Sequence, residues 1–504
     1  MSPMEKEIES LRKTDVWELV DLPNGRKAVG SKWVFKIKTD VEGSVERLKA
    51  WLVAQGFSQK PGIHYDETFS PVARFESVRT VIALAVQNNL KLHQIDVTNA
   101  FLNDDLRDEV YMKQPEGFVV KGQEHLVCKL KRSIYGLKQS SRCWNTVLDQ
   151  HLKKIASVQT VSDPCIYVAS EGETFMIAVH ADDLLLAAKS DKRIGDVKKA
   201  LGDKCEVKDM GELHHFLGTK VFQNKQNGDV WSGQPAYTQK VLRKFNMENA
   251  KAVDTPVDAS SKLVKMNEDS ESTDREQFSS AVGSLLYLST MTRPDITYAV
   301  SNVAKFCANP AKEHWTAVKR IMRYLVGTMY LGLLYKKNEL KSCVGFSDAD
   351  WAGDLDDRKS TSGYIFQLSG SAISWRSKKQ ACVALSTAEA EYIALASAAQ
   401  EAVWVRQLLT DLRSNPEEAT RIYEDNQSAI CLAKNPQFHG RAKHIGIKYH
   451  FIREQVENGN VELSYCRTEE MVADMLTKGL GREQLRKLRK MSGLDEMSSC
   501  STCE

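Results

Sequence analysis

From Trp17 to about Tyr237, short apolar runs of strand type such as Lys32-Trp-Val-Phe-Lys-Ile-Lys38 alternate with stretches of helical period such as Val78 to Val86. The alternation predicts a mixed α+β region. Between Asp254 and Ser280 the chain turns polar and acidic, with Thr255-Pro256 and Asn267-Glu-Asp-Ser-Glu-Ser-Thr-Asp274, the composition of a surface linker. Helical spacing returns with Val282, Leu285, Leu286 and Leu288, then Val318, Ile321, Met322 and Leu325, so Ala281 to Tyr335 reads as largely helical. After Leu340 the pattern is that of strands: Cys343 to Phe346, Tyr364 to Leu368, a Ser369-Gly370-Ser371 turn and Ala372 to Trp375 predict a hairpin. Ser386-Thr-Ala-Glu389 is a capping-box pattern ahead of Tyr392, Ile393, Ala396 and Val403, which starts a long helix near Thr387. A strand Arg421 to Glu424, a helix from Asn426, a strand Val461 to Cys466 and a last helix after Thr468 complete an α/β unit.

Length and charge narrow the picture without deciding it. The 504 residues are enough for roughly three or four cores. Lys+Arg 69 against Asp+Glu 66 leaves a net charge of +3, so a nucleic-acid partner has to be argued from local basic clusters. Eleven cysteines without a repeating interval read as reduced thiols of an intracellular, cytoplasmic protein, and Cys500 and Cys503 in a Ser-rich stretch stay unassigned. Apolar runs such as Val81 to Val86 and Leu184 to Ala188 fall far short of the roughly 20 residues that span a bilayer, so no membrane partner is expected.

Candidate chemistry lies in the acids. In Phe175-Met-Ile-Ala-Val-His-Ala-Asp182-Asp183-Leu-Leu-Leu-Ala-Ala188 two adjacent carboxylates sit between apolar runs, where they repel each other and lose hydration unless a divalent cation lies between them. A water-facing turn is the alternative, since Asp is a common turn former. Asp96 ends another strand-like run, and hard oxygen ligands from separate strands are what Mg²⁺ prefers. Asp348, Glu391, Asp425 and Asp474 form a second set drawn from four elements.

The ordered series Trp33-Val-Phe-Lys36, Leu48-Lys-Ala-Trp-Leu-Val-Ala-Gln-Gly-Phe57, Glu67-Thr-Phe-Ser-Pro-Val72, Gln94-Ile-Asp-Val97, Ile134-Tyr-Gly-Leu-Lys-Gln139, Phe216-Leu-Gly218, Thr292-Arg-Pro-Asp295, Ser347-Asp-Ala-Asp-Trp-Ala-Gly353 and Ala473-Asp-Met-Leu-Thr-Lys478 resembles the reverse transcriptase and ribonuclease H region of the Pol polyprotein of copia-type long-terminal-repeat retrotransposons. The resemblance runs from about Glu7 to Leu494. It implies an α+β right-hand polymerase with fingers, palm and thumb over 7–253, a linker and helical connection over 254–340, an α/β ribonuclease H-like domain with a five-stranded mixed sheet over 341–480, and a C-terminal tail over 481–504.

It further implies that Asp96, Asp182 and Asp183, with the backbone carbonyl of Val97, hold two Mg²⁺ ions for nucleotidyl transfer. Asp348, Glu391, Asp425 and Asp474 would hold two more for hydrolysis of RNA in an RNA:DNA hybrid, with Mn²⁺ an admissible substitute. Asp348 is preferred to Asp350 because it lies directly after the strand-type run Cys343 to Phe346 whereas Asp350 begins the loop, and Glu391 to Glu389 because Ala394 and Ala398 follow at the family's spacing. Lys36, Lys138 and Gln139 are implied to meet the incoming dNTP or the template. Phe101 would collide with a ribose 2′-hydroxyl, or else simply pack in a core, and Phe216, Leu217 and Gly218 would hold the DNA primer end. Lys129, Lys131, Arg132, Lys138 and Arg142 form a run without acids that suits phosphate contacts. His444 and His450 follow the pattern with a structural role, while His180, beside the acid pair, either reports on metal occupancy or simply packs in a strand.

Four positions depart from the family pattern: Trp51 stands where a basic residue is usual, His180 and Ala181 replace Tyr and Val, and Asp104 replaces Gly. No protease, zinc module or integrase region is found, so the chain reads as a processed product or a piece of a truncated copy. Partners on this reading are RNA template, DNA primer, RNA:DNA hybrid and dNTPs, with a homodimer, a particle assembly and a virus-like-particle location left open. A decayed protein that binds nucleic acid without polymerase activity is the alternative, and an unrelated two-metal phosphohydrolase fits the acids but not the ordered motifs.

Overall fold

A computed structural model describes residues 2–498 apart from 40–44, 105, 156, 171, 173, 261, 268, 269, 340, 415, 417 and 435–445. His444, Cys500 and Cys503 therefore lie outside the described residues.

The N-terminal half is built on a six-stranded antiparallel sheet in the order Val207–Glu212, Lys91–Val97, Asp183–Ala188, Phe175–His180, Ile166–Ala169, Ser157–Gln159. Its central strands are continuous apolar runs because they are covered rather than half-solvated. Helix Phe75–Gln87 is buried at every position from Ser77 to Val86. Helices Ser140–Lys154 and Asp191–Gly202 add Trp144, Leu148, Leu152, Ile194, Val197 and Leu201 to the same core. An antiparallel hairpin, Ser31–Thr39 with Val45–Ala54, extends from this body.

The C-terminal half carries a five-stranded mixed sheet in the order Ser371–Lys379, Thr361–Leu368, Val344–Ala349, Thr420–Glu424, Val461–Tyr465. The first two pairings are antiparallel and the last two parallel. The hairpin turns on Ser369 (φ 54) and Gly370 (φ 74), two left-handed residues whose twist matches that of the strands they join. Helix Thr387–Asp411 starts at Ser386, whose hydroxyl accepts from Glu389 N, and lies against the sheet.

Four expectations are corrected. The polar stretch from Asp254 does not run to Ser280 as linker, because Asp274 accepts from Glu276 N (2.9 Å) and Gln277 N (3.1 Å) and so starts helix Arg275–Met291. The helical connection ends in a strand, Leu331–Tyr335. This strand joins Val230–Gly233 on one side and Leu494–Glu496 on the other in a second five-stranded sheet. Residues 482–496, expected within a tail, are thus helix Arg482–Met491 and the paired strand Leu494–Glu496. The helix expected after Thr468 is two short 3₁₀ turns, Thr468–Glu470 and Val472–Leu476.

The two halves share one hydrophobic core. Buried Arg79 joins them: Nε donates to Ile373 O (2.7 Å), Nη1 donates to Thr290 O (2.8 Å) and Met291 O (3.0 Å), and the guanidinium lies 4.0 Å from the Trp375 ring centre. The carbonyls at the C-terminus of helix Arg275–Met291 have no intrahelical donors, and a cation satisfies them. Among the described residues no helix is long and apolar enough to cross a membrane.

Candidate functional site

One acid group stands at the end of the six-stranded sheet. Asp183 is directly opposite Asp96 in the antiparallel register, and Val97 N donates to Asp182 O (2.9 Å). The two-residue turn Ala181-Asp182 sets Ala181 at φ 55, a left-handed position costly for a residue with a Cβ, and Trp144 Nε1 donates to Ala181 O (2.8 Å) to hold it. His180 stacks on Phe75 with ring centres 6.5 Å apart. Gln94 Nε2 donates to Asp183 Oδ1 (3.1 Å). Burial raises the Asp183 carboxyl, Gln94 opposes the rise, and the charges of Asp182 and Asp96 add to it. Asp182 is exposed.

Around this turn, the structure places the expected contact residues unevenly. Phe101 is half-buried and packs edge-on to Tyr135, with ring centres 5.0 Å apart. The Tyr135 hydroxyl is pushed up to about 12 by burial and by the nearby charges of Asp182, Glu7 and Asp96, which makes it a neighbour of the acids that sequence reasoning passed over. Lys36 is exposed on the hairpin. Trp51 sits on the same hairpin, with Lys49 Nζ 5.5 Å from its ring centre. Lys138 is exposed, with Nζ 5.7 Å from the Tyr65 ring centre.

Gln139 is not available to a nucleotide. It is 1% exposed, its Nε2 donates to His64 O (2.9 Å) and Asp108 Oδ2 (3.0 Å), and its Oε1 accepts from Gln59 Nε2 (3.1 Å). Nor is the basic run without acids in three dimensions. Lys129 meets Glu109 (3.8 Å), Lys131 meets Asp15 (3.1 Å) and Glu18 (3.3 Å), and Arg142 meets Glu67 (2.9 Å). Phe216 is buried, Leu217 and Gly218 have φ of 48 and 71, and Tyr287 Oη donates to Leu217 O (2.6 Å). Helix Arg275–Met291 thereby locks this loop, and a Cβ at Gly218 would lie 2.6 Å from Tyr287 Oη.

The second acid group lies in the C-terminal half. Among the described residues Asp348, Glu391 and Asp425 are the three acids whose ligand atoms all come within 4.8 Å of one another. The Asp96 group shares a sheet end without meeting that separation. Asp348 lies inside strand Val344–Ala349, Glu391 in the second turn of helix Thr387–Asp411, and Asp425 just past strand Thr420–Glu424. Asp348 and Glu391 are buried and Asp425 is half-buried. Asp474 is buried in a 3₁₀ turn and interacts with Asp348.

Thr477 Oγ1 donates to Asp348 Oδ2, Thr468 Oγ1 donates to Asp425 Oδ2 (2.8 Å), and Lys478 Nζ lies 2.8 Å from Asp474 Oδ1 and 3.8 Å from Asp348 Oδ1. The rivals have other tasks. Asp350 Oδ1 accepts from Thr361 N, and Glu389 Oε2 accepts from Leu385 N (2.8 Å) to close the helix cap.

Glu424 belongs to this group and was missed. It is 0% exposed and adds to the charge felt by Glu391; its signal in the sequence was an acid next to Asp425 at a strand end, but only the sheet order turns it inward. Burial, followed by mutual repulsion, raises the carboxyls of Glu391, Glu424 and Asp474. Glu391 Oε2 and Glu424 Oε2 are buried without a hydrogen-bond partner. An all-oxygen, excess-anion pocket with unsatisfied buried acceptors fits a hard divalent cation. His450 is exposed on helix Gly446–Glu457.

Residues 14–259 match the profile of the family described as reverse transcriptase (RNA-dependent DNA polymerase). Over 501 residues, 98% of the chain, it is 44% identical to a retrovirus-related Pol polyprotein from transposon TNT 1-94 of Nicotiana tabacum, of which it spans 38%. It is 33% identical over 309 residues to a putative transposon Ty5-1 protein of Saccharomyces cerevisiae, matching 61% of this chain and 100% of that one. A solved ribonuclease H1 isolated from compost overlaps 29% of this chain and 98% of its own at 16% identity, with a TM-score of 0.23.

Proposed function

Because the chain belongs to the reverse transcriptase family, as the counterpart of a stretch of the Pol polyproteins of copia-type transposons, we propose that it is an RNA-directed DNA polymerase with a linked ribonuclease H. The observation that carries this reading is the presence, in one chain, of two separate acid groups on two separate sheets. Asp96, Asp182 and Asp183 would hold one pair of Mg²⁺ ions and Asp348, Glu391, Asp425 and Asp474 the other. Such ions activate the attacking hydroxyl or water and stabilise the leaving oxygen.

The chain's own residues set the rest. On this reading the six-stranded sheet is the palm, the Ser31–Thr39 hairpin belongs to the fingers, and the loop at Phe216 holds the primer end. Phe101, held edge-on by Tyr135, presents a rigid wall where a 2′-hydroxyl would sit. Lys36 and Lys138 face solvent and can neutralise phosphates. Lys49, beside Trp51, brings a cation to the position where a basic residue is missing. The mixed sheet of the C-terminal half, with Asp348 on its central strand, is ribonuclease H-like and acts on the RNA of a hybrid. RNA template, DNA primer and dNTPs are the partners, and the setting is cytoplasmic, inside a virus-like particle when part of an active element.

Primer extension on an RNA template and cleavage of an RNA:DNA hybrid, both with Mg²⁺, test the proposal. Both activities are expected; a chain that binds hybrid but performs neither reaction would overturn it in favour of a binding protein without catalysis.

A further inference from the structure

The five acids Asp348, Glu391, Glu424, Asp425 and Asp474 are not neutralised evenly. Among the described residues Lys478 is the one cation in ion-pair contact with them, and it stands at one side: 2.8 Å from Asp474 Oδ1 and 3.8 Å from Asp348 Oδ1. The turn Asp474 to Lys478 fixes its approach, since Lys478 N donates to Asp474 O (3.1 Å). The opposite side, where Asp348, Glu391 and Asp425 converge within 4.8 Å, has no ion-pairing cation among the described residues; Glu391 Oε2 there is buried without a hydrogen-bond partner, as is Asp474 Oδ1, whose near neighbour is Lys478 Nζ. The Lys478 side chain is 40% exposed, so it reaches the acids from the solvent side along a path it can retrace.

We propose that Lys478 is a resident cation filling the Asp474 side of this pocket, so that without nucleic acid the pocket admits one divalent ion, at Asp348, Glu391 and Asp425. The second position opens when a phosphate of the bound strand draws the ammonium away. Substrate thereby completes the metal set. The inference rests on the ribonuclease reading of the pocket and assigns Lys478 a positioning role within it. An ammonium already 2.8 Å from Asp474 Oδ1 occupies that carboxylate and repels a divalent ion there, whereas an anionic phosphate at the rim offers the flexible ammonium a new partner.

The test is Mn²⁺ binding to the full chain, read by the electron paramagnetic resonance signal of free Mn²⁺. Asp96→Asn, Asp182→Asn and Asp183→Asn are included to silence the other acid group. One ion per chain is expected with Lys478 intact, two with Lys478→Met, and one again with Lys478→Arg. The first ion should also bind on the order of tenfold more tightly in Lys478→Met, because a nearby positive charge is gone. Lys478→Gln repeats the measurement should the Met variant melt early in chelator.

Two ions in the intact background, or one ion at unchanged affinity in Lys478→Met and Lys478→Gln, would overturn the role of Lys478 and leave the pocket's metal chemistry standing. No ion in any of these chains, together with no hybrid cleavage by the unmodified chain, would remove the ribonuclease reading itself.

Discussion

The two acid groups are made in opposite ways. At the sheet end, strand register does the work: Asp183 faces Asp96 across a ladder, Asp182 caps an exposed turn, and the oxygens remain apart. In the C-terminal half, packing does it: Asp348, Glu391, Glu424 and Asp474 are pressed together in the interior, with Lys478 and Thr477 restraining them. The first group is half-hydrated, with Asp182 exposed and Asp183 partly buried. The second is held together before anything binds, and its buried like charges must be relieved by protons, Lys478 or metal.

The largest effect should come from separating the two. Asp348→Asn should lower hybrid cleavage by on the order of 10³-fold while leaving primer extension intact, and Asp183→Asn should do the reverse. Steady-state rates for both reactions on both variants decide this, and a variant that loses both activities would show that the groups are not independent. Arg79→Met comes next. It strips donors from Thr290 O, Met291 O and Ile373 O, and should cost about 3 to 5 kcal/mol in urea unfolding. Since Arg79 ties the halves together, both activities should fall together; a selective loss would mean the halves are not one body.

A smaller effect separates the sites by pH. The raised carboxyls of Glu391, Glu424 and Asp474, the last to about 7, mean that the folded metal-free chain keeps protons which the unfolded chain releases above about pH 4. The stability these protons provide is present at low pH and is lost as pH rises towards 7. Mg²⁺ should make good the loss, so the rise in melting temperature on adding Mg²⁺ should grow from about pH 5 to about pH 7 and shrink in Glu391→Gln. A metal-induced shift independent of pH would count against the raised carboxyls. The smallest effect is expected at Phe101→Ala, which should improve use of ribonucleotides relative to deoxynucleotides by about tenfold, as loss of a steric wall does. An unchanged ratio in single-turnover extension would make Phe101 a packing residue.

Much of this was legible in the sequence where local pattern and burial agree. Leu184 to Ala188 and Phe175 to Val179 are apolar without interruption because both faces of those strands are covered, so the acids between them stood out. Glu391 could be told from Glu389 by its helical position, since Glu389 is where a capping box needs its acid. What was not legible depended on distant pairings. Gln139 is consumed by Gln59, His64 and Asp108. The basic run finds its acids in Asp15, Glu18, Glu67 and Glu109. Glu424 turns inward because its strand lies between two parallel neighbours, and Leu494–Glu496 is too short to read as a strand until Leu331–Tyr335 is beside it.

That last strand has a mechanical consequence. Leu494–Glu496 zips onto Leu331–Tyr335, Trp231 Nε1 donates to Asp495 O (3.1 Å), and Gln367 Nε2 donates to Met491 O (2.6 Å), so a few late residues bolt both sheets at once. A chain cut back to residue 480 would bare a row of unpaired backbone N–H and C=O groups along the apolar strand Leu331–Tyr335, a template for neighbouring chains to add their own strands. Such a trimmed form should clump although both acid groups lie within it.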